Sequence, residues 1–222
     1  MPNLYGYPTT EEPKPENRFA VAMLQRIKDV DDNGFSTSIR LACGFWYEWS
    51  LATGEQWFGF TIASRKVTFF DDGRRAITVS TWDQCGRALA ALLSLPELPS
   101  GSESSPSLSG FKNKTVLISS FRVSQRDMLD SLHRVLGTTD ADWEITYEGT
   151  AKRIQEGAAE MQRGEMTGFA KMLYGGVFAP DNETSDYVGT DNEVLGLPEE
   201  DLDEATRRTV EMVESGWNPL GL

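Results

Sequence analysis

Apolar residues recur every three or four positions in several parts of the chain, which is the spacing of one buried helix face. Residues 18–30 show this pattern first, and their apolar stripe consists of Phe19, Ala20, Met23, Leu24, Ile27 and Val30. A second helix is predicted over 80–95, where Ser80 or Thr81 can accept a backbone hydrogen bond at the first turn. Its apolar face is predicted to hold Leu89, Leu92 and Leu93.

The same spacing predicts four more helices in the second half of the chain. One covers 124–137, with Ser124 as its N-cap and Gly137 just past its end. Two further helices follow, "GTAKRIQEGAAEMQRG" and "EMTGFAKMLYGGVFA", and Gly164 separates them. The segment "EEDLDEATRRTVEMVES" predicts an amphipathic helix close to the end of the sequence.

Strand patterns are fewer and shorter than the helix patterns. Residues 35–43, "FSTSIRLAC", predict a largely buried strand, and "KTVLISS" and "DWEITYE" predict two more. The segments "KVTFF" and "AITVS" flank Asp71-Asp72-Gly73-Arg74, which is typical of a hairpin or tight turn. Strands and helices mixed in this order indicate an α/β protein.

Composition and charge exclude several classes of protein. There are 34 acidic and 21 basic residues, and the resulting net charge of −13 opposes binding to nucleic acid. No stretch approaches the roughly 18 consecutive apolar residues of a membrane-spanning helix. Cys43 and Cys85 lie in apolar segments and are interpreted as small buried residues rather than a disulfide, which fits a cytoplasmic protein.

Five segments in the same order resemble a known family: "PNLYG", "STSIRLACGFWYEWSL", "VTFFDDGRRAITVSTWDQCGRALAALLSLP", "KNKTVLISSFRVSQRDMLDSLHRVLG" and "DWEITYE". The pattern is similar to the NmrA-like, isoflavone-reductase-like family of atypical short-chain dehydrogenases, in particular its fungal CipA-type branch. The resemblance implies a partial Rossmann-like sheet followed by a mainly helical substrate-binding region. It divides the chain into a residual Rossmann-like part (1–95), a flexible Ser/Pro/Gly loop (96–113) and the substrate-binding region (114–222).

The family resemblance implies NADPH as a cofactor, but the chain lacks the glycine-rich turn that would hold it. No Gly-x-Gly-x-x-Gly occurs in the sequence, and "PNLYG" belongs to the middle of the family pattern rather than its start. Leu4 also replaces the usual acidic residue, and Lys28 lies too far along its helix to be assigned as the family's lysine. We therefore expect the chain to begin within the family pattern and to bind no cofactor alone, and its catalytic residues stay unassigned.

The segment 44–65 is unusually aromatic and follows a predicted strand, where open α/β sheets place their ligands. A planar organic ligand is well suited by aromatic walls with a few polar groups. The candidate substrate-binding residues are Tyr5, Phe45, Trp46, Tyr47, Trp49, Phe58 and Met172. The alternative for most of them is packing in the protein core. His133 has no nearby nucleophile or metal partner in sequence and is predicted at a surface or helix end.

Three functions are consistent with these residues. The first is an oxidoreductase-family protein that acts on or binds a small aromatic or polyketide-like metabolite, although the missing cofactor cradle argues against redox turnover by this chain alone. The second is a redox-neutral isomerase or cyclase that uses the same pocket. The third is a non-catalytic regulator or scaffold, in which a second copy or a partner chain covers an exposed domain face.

Overall fold

The computed structural model describes residues 18–100, 105–180, 189–217 and 219. Within these ranges the chain forms an α/β fold of seven α-helices and eight short strands. The helices are α1 (Arg18–Asp31), α2 (Tyr47–Ala52), α3 (Trp82–Leu93), α4 (Gln125–Leu136), α5 (Thr150–Gln162), α6 (Thr167–Phe178) and α7 (Leu202–Glu214). The strands are β1 (Ile39–Ala42), β2 (Phe45–Trp46), β3 (Phe60–Thr61), β4 (Lys66–Phe70), β5 (Ile77–Ser80), β6 (Lys114–Leu117), β7 (Phe121–Val123) and β8 (Glu144–Glu148).

The strands form three small sheets, with the orders β1-β6, β2-β5-β7 and β3-β4-β8. The pairs β1–β6, β2–β5 and β4–β8 are parallel, whereas β5–β7 and β3–β4 are antiparallel. Three of these pairs, β1–β6, β5–β7 and β4–β8, join residues from before and after the segment 96–113. The division of the chain into parts before and after 96–113 stays a prediction. Strand pairing connects these two parts.

The predicted helix starts are confirmed at α3 and α4. The Thr81 hydroxyl accepts a hydrogen bond from the backbone N–H of Gln84 at 2.9 Å. Ser124 and Asp127 form a reciprocal capping box, and Gly137 ends α4 with a positive φ of 65°. Local capping chemistry therefore determines where these helices begin and end.

Two hydrophobic clusters hold the elements together. The larger one packs the aromatic residues of the β2–β4 region against α4, α6 and α7. The smaller one lies between the β1–β6 pair and α3, and its buried members are Cys43, Ala88, Leu92, Val116, Ile118 and Leu195. The smaller cluster is the one beside the candidate site described below.

The predicted hairpin between β4 and β5 is wrong, although the tight turn is present. Asp71 and Gly73 have positive φ angles of 52° and 70°, but β4 pairs with β8 and β5 pairs with β7. The Asp71 carboxylate accepts hydrogen bonds from the backbone and the hydroxyl of Thr150, at 3.1 and 2.7 Å. The turn is thereby tied to the start of α5, and the two strands diverge into separate sheets.

Two further expectations need correction. Leu89 and Leu93 of α3 are 49% and 67% exposed, so only Leu92 of the predicted apolar trio lies in the core. The strand predicted over 35–43 is shorter than expected: β1 covers only Ile39–Ala42, and Phe35 is almost fully exposed. β7 was missed because a three-residue strand shows too little alternation to be recognised.

The segment after residue 189 covers the outer edge of β6. The Asp191 carboxylate accepts a hydrogen bond from Leu117 N–H at 2.8 Å, and Asn192 exchanges hydrogen bonds with the backbone of Ser119. In the described part of the chain β1 pairs with β6 alone, so its other edge carries no strand. A search of the described helices found none with the length and apolar character needed to cross a bilayer.

Candidate functional site

The aromatic segment predicted to line a ligand pocket divides between the core and the surface. Phe45, Tyr47 and Phe58 are buried, whereas Trp46 is 37% exposed. Phe45 and Trp46 are consecutive residues of β2, and successive side chains of a strand point to opposite faces. Of these four predicted site residues, Trp46 lines a cavity that reaches the surface.

The buried rings pack around Tyr174 of α6. The ring centroid of Tyr174 lies 4.8 Å from that of Phe45 and 5.4 Å from that of Phe58, in edge-to-face geometry. The Tyr174 hydroxyl shares a hydrogen bond of 2.8 Å with the hydroxyl of Ser50. These contacts fix α6 against the β2–α2 region. Phe45 and Phe58 thus pack in the core, which was the alternative to lining a ligand pocket.

The remaining predicted site residues lie elsewhere. Trp49 packs edge-to-face on Trp57, with ring centroids 4.3 Å apart. Met172 lies on α6 where it approaches Gly157 of α5, and it does not line the Trp46 cavity. Tyr5 lies outside the described residues. Phe45 and Phe58 therefore meet in the core, whereas Trp46 lines the cavity.

The Trp46 cavity is a groove between β1 and α3, with a volume of about 360 Å³. We call it the β1–α3 groove. The strand side contributes the end of β1 and the residues after it, and the helix side contributes one face of α3. The lining residues are Ile39, Leu41, Cys43, Trp46, Cys85, Gly86, Leu89, Leu92, Leu93 and Leu108.

The local backbone explains why Trp46 reaches the groove. Gly44 has a φ of 61°, and a Cβ atom there would lie 2.2 Å from the carbonyl oxygen of Thr78. Only glycine allows this approach, which brings β2 beside β5 immediately after β1 ends. The chain therefore changes from one sheet to the next within two residues and leaves Trp46 at the rim.

The chemistry of the β1–α3 groove is apolar. None of its lining residues is charged. The polar side-chain groups in the lining are the two thiols and the indole N–H of Trp46. A cavity of this size and character suits a small aromatic or aliphatic molecule. It offers none of the positive charge or clustered glycine N–H groups that a pyrophosphate requires.

Two carboxylates lie near the N-terminus of α3, behind the groove. Burial raises the pKa of Glu48, although Arg208 and the backbone N–H of Trp82 donate hydrogen bonds to it at 3.1 and 3.3 Å. The Glu200 carboxylate accepts from the hydroxyls of Thr81 and Ser120 and pairs with Arg87. Both carboxylates accept hydrogen bonds from the first turn or the cap of α3, so both have a structural role at the start of this helix.

A second polar network fixes α7 to the body of the protein. The Tyr47 and Thr206 hydroxyls share a hydrogen bond of 2.7 Å, and the Ser131 hydroxyl contacts Thr206 and Asp203 at 2.7 and 2.6 Å. Burial raises the pKa of Tyr47 well above its usual value, so this phenol stays protonated at neutral pH. We call these four residues the α7 network.

His133 lies in the last turn of α4, and the predicted helix-end position is confirmed. Its two ring nitrogens contact Thr138 and Asp140, at 3.0 and 2.8 Å. Hydrogen bonds from Arg126 and then His133 lower the pKa of Asp140. Within the described ranges no three His, Cys, Asp or Glu side chains come together in a way that suits a metal ion.

A second cavity of about 400 Å³ lies between the end of α2, the β3 region and the end of α7. Its lining includes more exposed polar surface, with Thr53 and Thr61 beside Trp217. None of the predicted site residues lines this cavity. It is therefore a less suitable place for an apolar ligand than the β1–α3 groove.

The fold is a Rossmann-like α/β arrangement, in which helices pack against small sheets that contain parallel strand pairs. The solved structure of AtPrR2 with NADP+ and (+)pinoresinol matches with a TM-score of 0.63 at 14% identity, covering 88% of this chain and 59% of that chain. A crystal structure of isoflavone reductase matches with a TM-score of 0.58 at 14% identity, covering 89% and 60%. The NADPH-dependent quinone oxidoreductase QOR2 from Escherichia coli matches with a TM-score of 0.54 at 14% identity, covering 86% and 62%.

The chain thus spans about 60% of the length of these structures. No protein-family model matches the sequence. A search of curated proteins finds no match either. At 14% identity the likeness establishes the fold, and it agrees with the isoflavone-reductase-like architecture expected from the sequence motifs.

Sequence reasoning missed two features of the site. Leu89 and Leu93 were expected in the core and instead border the groove. Cys43 and Cys85 were interpreted as separate small buried residues. Both are free cysteines, and their side chains line the same groove and pack in the same hydrophobic cluster. Only the tertiary packing of β1 against α3 could reveal that arrangement.

Proposed function

We propose that this chain is an oxidoreductase-family protein that binds a small aromatic or polyketide-like molecule in the β1–α3 groove. The observation that carries the proposal is the uncharged, apolar lining of the groove with Trp46 at its rim. The fold neighbours support the ligand class, since one was solved with (+)pinoresinol and others are an isoflavone reductase and a quinone oxidoreductase.

The cofactor part of the proposal is separate. The family resemblance implies NADPH, whereas the sequence holds no Gly-x-Gly-x-x-Gly and the groove has no charged lining residue. We propose that this chain alone binds the aromatic molecule without binding NADPH. A redox-neutral isomerase or cyclase reaction is compatible with such a site, because holding a reactive conformer lowers a barrier without a cofactor.

Calorimetric titration of the purified chain with the flavone apigenin tests the ligand site. We expect binding to the unmodified chain, and about tenfold weaker binding to Trp46→Ala, because the variant loses an aromatic contact at the groove rim. Trp49→Ala is the matched control, since Trp49 packs on Trp57 away from the groove. Equal weakening in both variants, or none in either, would remove the groove from the proposal.

Titration with NADPH, followed by the fluorescence of the cofactor, tests the second part. We expect no saturable change in NADPH fluorescence up to about 1 mM cofactor. A dissociation constant above that concentration would be weak for a cofactor. Saturable binding at micromolar concentration would overturn the proposal for the cofactor and favour an intact reductase. The aromatic site would be judged by its own titration.

A non-catalytic scaffold is the second candidate, and a specific surface favours it. Leu89 and Leu93 are exposed on α3, and one edge of β1 carries no described strand. Exposed apolar side chains and an unpaired strand edge are both typical of a surface that another chain covers. Light scattering during size-exclusion chromatography tests this candidate, and a strictly monomeric protein would count against self-association.

A further inference from the structure

Two cysteines from distant parts of the sequence meet at the floor of the β1–α3 groove. Cys43 directly follows β1 and is buried, whereas Cys85 lies in the first turn of α3 and is partly exposed. Both line the groove, and neither is in a disulfide. Cys85 also packs against the hydrophobic cluster that contains Cys43.

The surroundings of the two thiols keep Cys85 protonated. The Cys43 thiol donates to the carbonyl oxygen of Gly44, with a sulfur–oxygen distance of 3.8 Å. The hydrogen bond to Cys43, followed by burial, raises the pKa of Cys85, so the Cys85 thiol is protonated at neutral pH.

The groove determines which reagents can approach this dithiol. The lining around the two sulfurs is formed by leucine and isoleucine side chains together with Trp46. An apolar molecule gains free energy by entering such a site, whereas a small hydrated molecule does not. Cys85 is the more exposed of the two thiols, so a reagent in the groove meets it first.

We propose that Cys43 and Cys85 form a reversible dithiol–disulfide site that is oxidised by an apolar organic hydroperoxide admitted through the β1–α3 groove. The proposal rests on the position of both thiols in one groove, and it does not depend on the aromatic ligand proposed above. Its chemistry is a two-electron oxidation of the protein coupled to a two-electron reduction of the hydroperoxide.

The reaction has two steps. First, the thiolate of Cys85 attacks the outer hydroperoxide oxygen; the S–O bond forms, the O–O bond breaks, and the departing alkoxide takes up a proton to become an alcohol. Second, the Cys43 sulfur attacks the Cys85 sulfenic acid; the S–S bond forms, the S–O bond breaks, and water leaves with the thiol proton. A small dithiol reductant restores both thiols.

Treatment of the reduced chain with cumene hydroperoxide, followed by mass spectrometry, tests the proposal. We expect a product lighter by two hydrogens, a digest containing the cross-linked Cys43 and Cys85 peptides, and full reversal by dithiothreitol. Cumene hydroperoxide should react about tenfold faster than hydrogen peroxide at equal concentration, because it buries apolar surface in the groove. The rate should also rise about tenfold per pH unit between roughly pH 7 and 9, following the fraction of thiolate.

Three variants separate the steps. Cys43→Ser should stop at a sulfenic acid that dimedone traps, and Cys85→Ser should give no intramolecular product. Leu89→Asp, at the rim of the groove, should abolish the advantage of cumene hydroperoxide over hydrogen peroxide. Circular dichroism checks that each variant is folded.

Three results, all measured on the unmodified chain, would overturn the proposal. A disulfide between two molecules, or two separately over-oxidised cysteines without a cross-link, would show that the contact does not resolve a sulfenic acid. Equal rates with the two peroxides would show that the groove does not select the oxidant. Reaction of the cysteines only after unfolding would show that the pair is a packing contact.

Discussion

Neighbouring aromatic residues have different environments in this protein. Phe45 packs on Tyr174 in the core, and Trp46, the next residue, borders the β1–α3 groove. The sequence could predict that 44–65 is an aromatic segment in which some rings meet solvent or ligand. It could not predict which rings, since β2 has only two residues and two positions do not define an alternating pattern.

A buried carboxylate gives a prediction at this scale. Burial raises the pKa of Glu48 above the 4.5 of an exposed glutamate, so the folded state binds this proton more tightly than the unfolded state. The corresponding stability is fully present below about pH 4.5 and is lost as pH rises through the folded pKa. Glu48→Gln does not titrate, so we expect it to gain stability relative to the unmodified chain as pH rises above about 4.5.

Urea unfolding at a series of pH values measures this difference. Glu211→Gln, at an exposed position on α7, is the matched control because it changes the formal charge equally. We expect the stability of Glu48→Gln relative to Glu211→Gln to increase with pH. A difference between the two variants that stays constant with pH would contradict the assigned effect of burial.

At the scale of elements, the closest helix pair is α5–α6. Gly157 and Gly168 face each other there, and a Cβ atom on Gly157 would lie 2.7 Å from the carbonyl oxygen of Gly168. A Cβ atom on Gly168 would lie 2.3 Å from the carbonyl oxygen of Gly157. The two backbones therefore touch, and any side chain at either position must separate the helices.

Alanine substitutions in this pair test the contact. We expect Gly157→Ala and Gly168→Ala each to lower the free energy of unfolding by about 1–3 kcal/mol, the usual cost of overpacking. Gly176→Ala, also in α6, is the control: no atom lies within 4 Å of the added Cβ, so the variant should be more stable by roughly 0.5–1 kcal/mol. Urea denaturation curves measure all three, and the same sign for Gly157→Ala and Gly176→Ala would contradict this view of the interface.

Element positions were predictable to different degrees. The starts of α3 and α4 followed from Thr81 and Ser124, because a capping hydrogen bond is a local interaction. The partners of β4 and β5 did not follow from Asp71 and Gly73, because strand pairing depends on distant contacts such as that of Asp71 with Thr150. A turn motif predicts that the chain reverses, and it does not determine which strands pair afterwards.

At the scale of the whole molecule, charge makes a testable difference. The net charge of −13 implies self-repulsion that the folded state must overcome. Exposed ion pairs such as Lys66–Glu144 contribute little, so screening them costs less than the repulsion it relieves. We therefore expect the thermal unfolding midpoint to rise when NaCl is raised from about 10 to about 150 mM.

Circular dichroism during heating measures that midpoint. Sucrose at equal osmolality is the control, since it acts without screening charge. A midpoint that falls with salt would mean that the ion pairs, and not the net repulsion, dominate the electrostatics of the fold.

The α/β class and the Rossmann-like architecture were the most predictable properties of the molecule. Five short motifs in order indicated them, and the fold neighbours share the architecture at 14% identity. The β1–α3 groove was not predictable in the same way. It depends on the tilt of α3, which buries Leu92 and leaves Leu89 and Leu93 exposed, and a helical repeat does not specify that tilt.

The α7 network has a consequence for the order in which the protein is made. Tyr47 and Ser131 are buried and precede α7 in the sequence. Their hydroxyls hydrogen-bond to Thr206 and Asp203 of α7. A buried hydroxyl without a partner costs about 1–3 kcal/mol. The growing chain therefore cannot satisfy these buried hydroxyls before residue 206 has left the ribosome, and this part of the interior depends on α7.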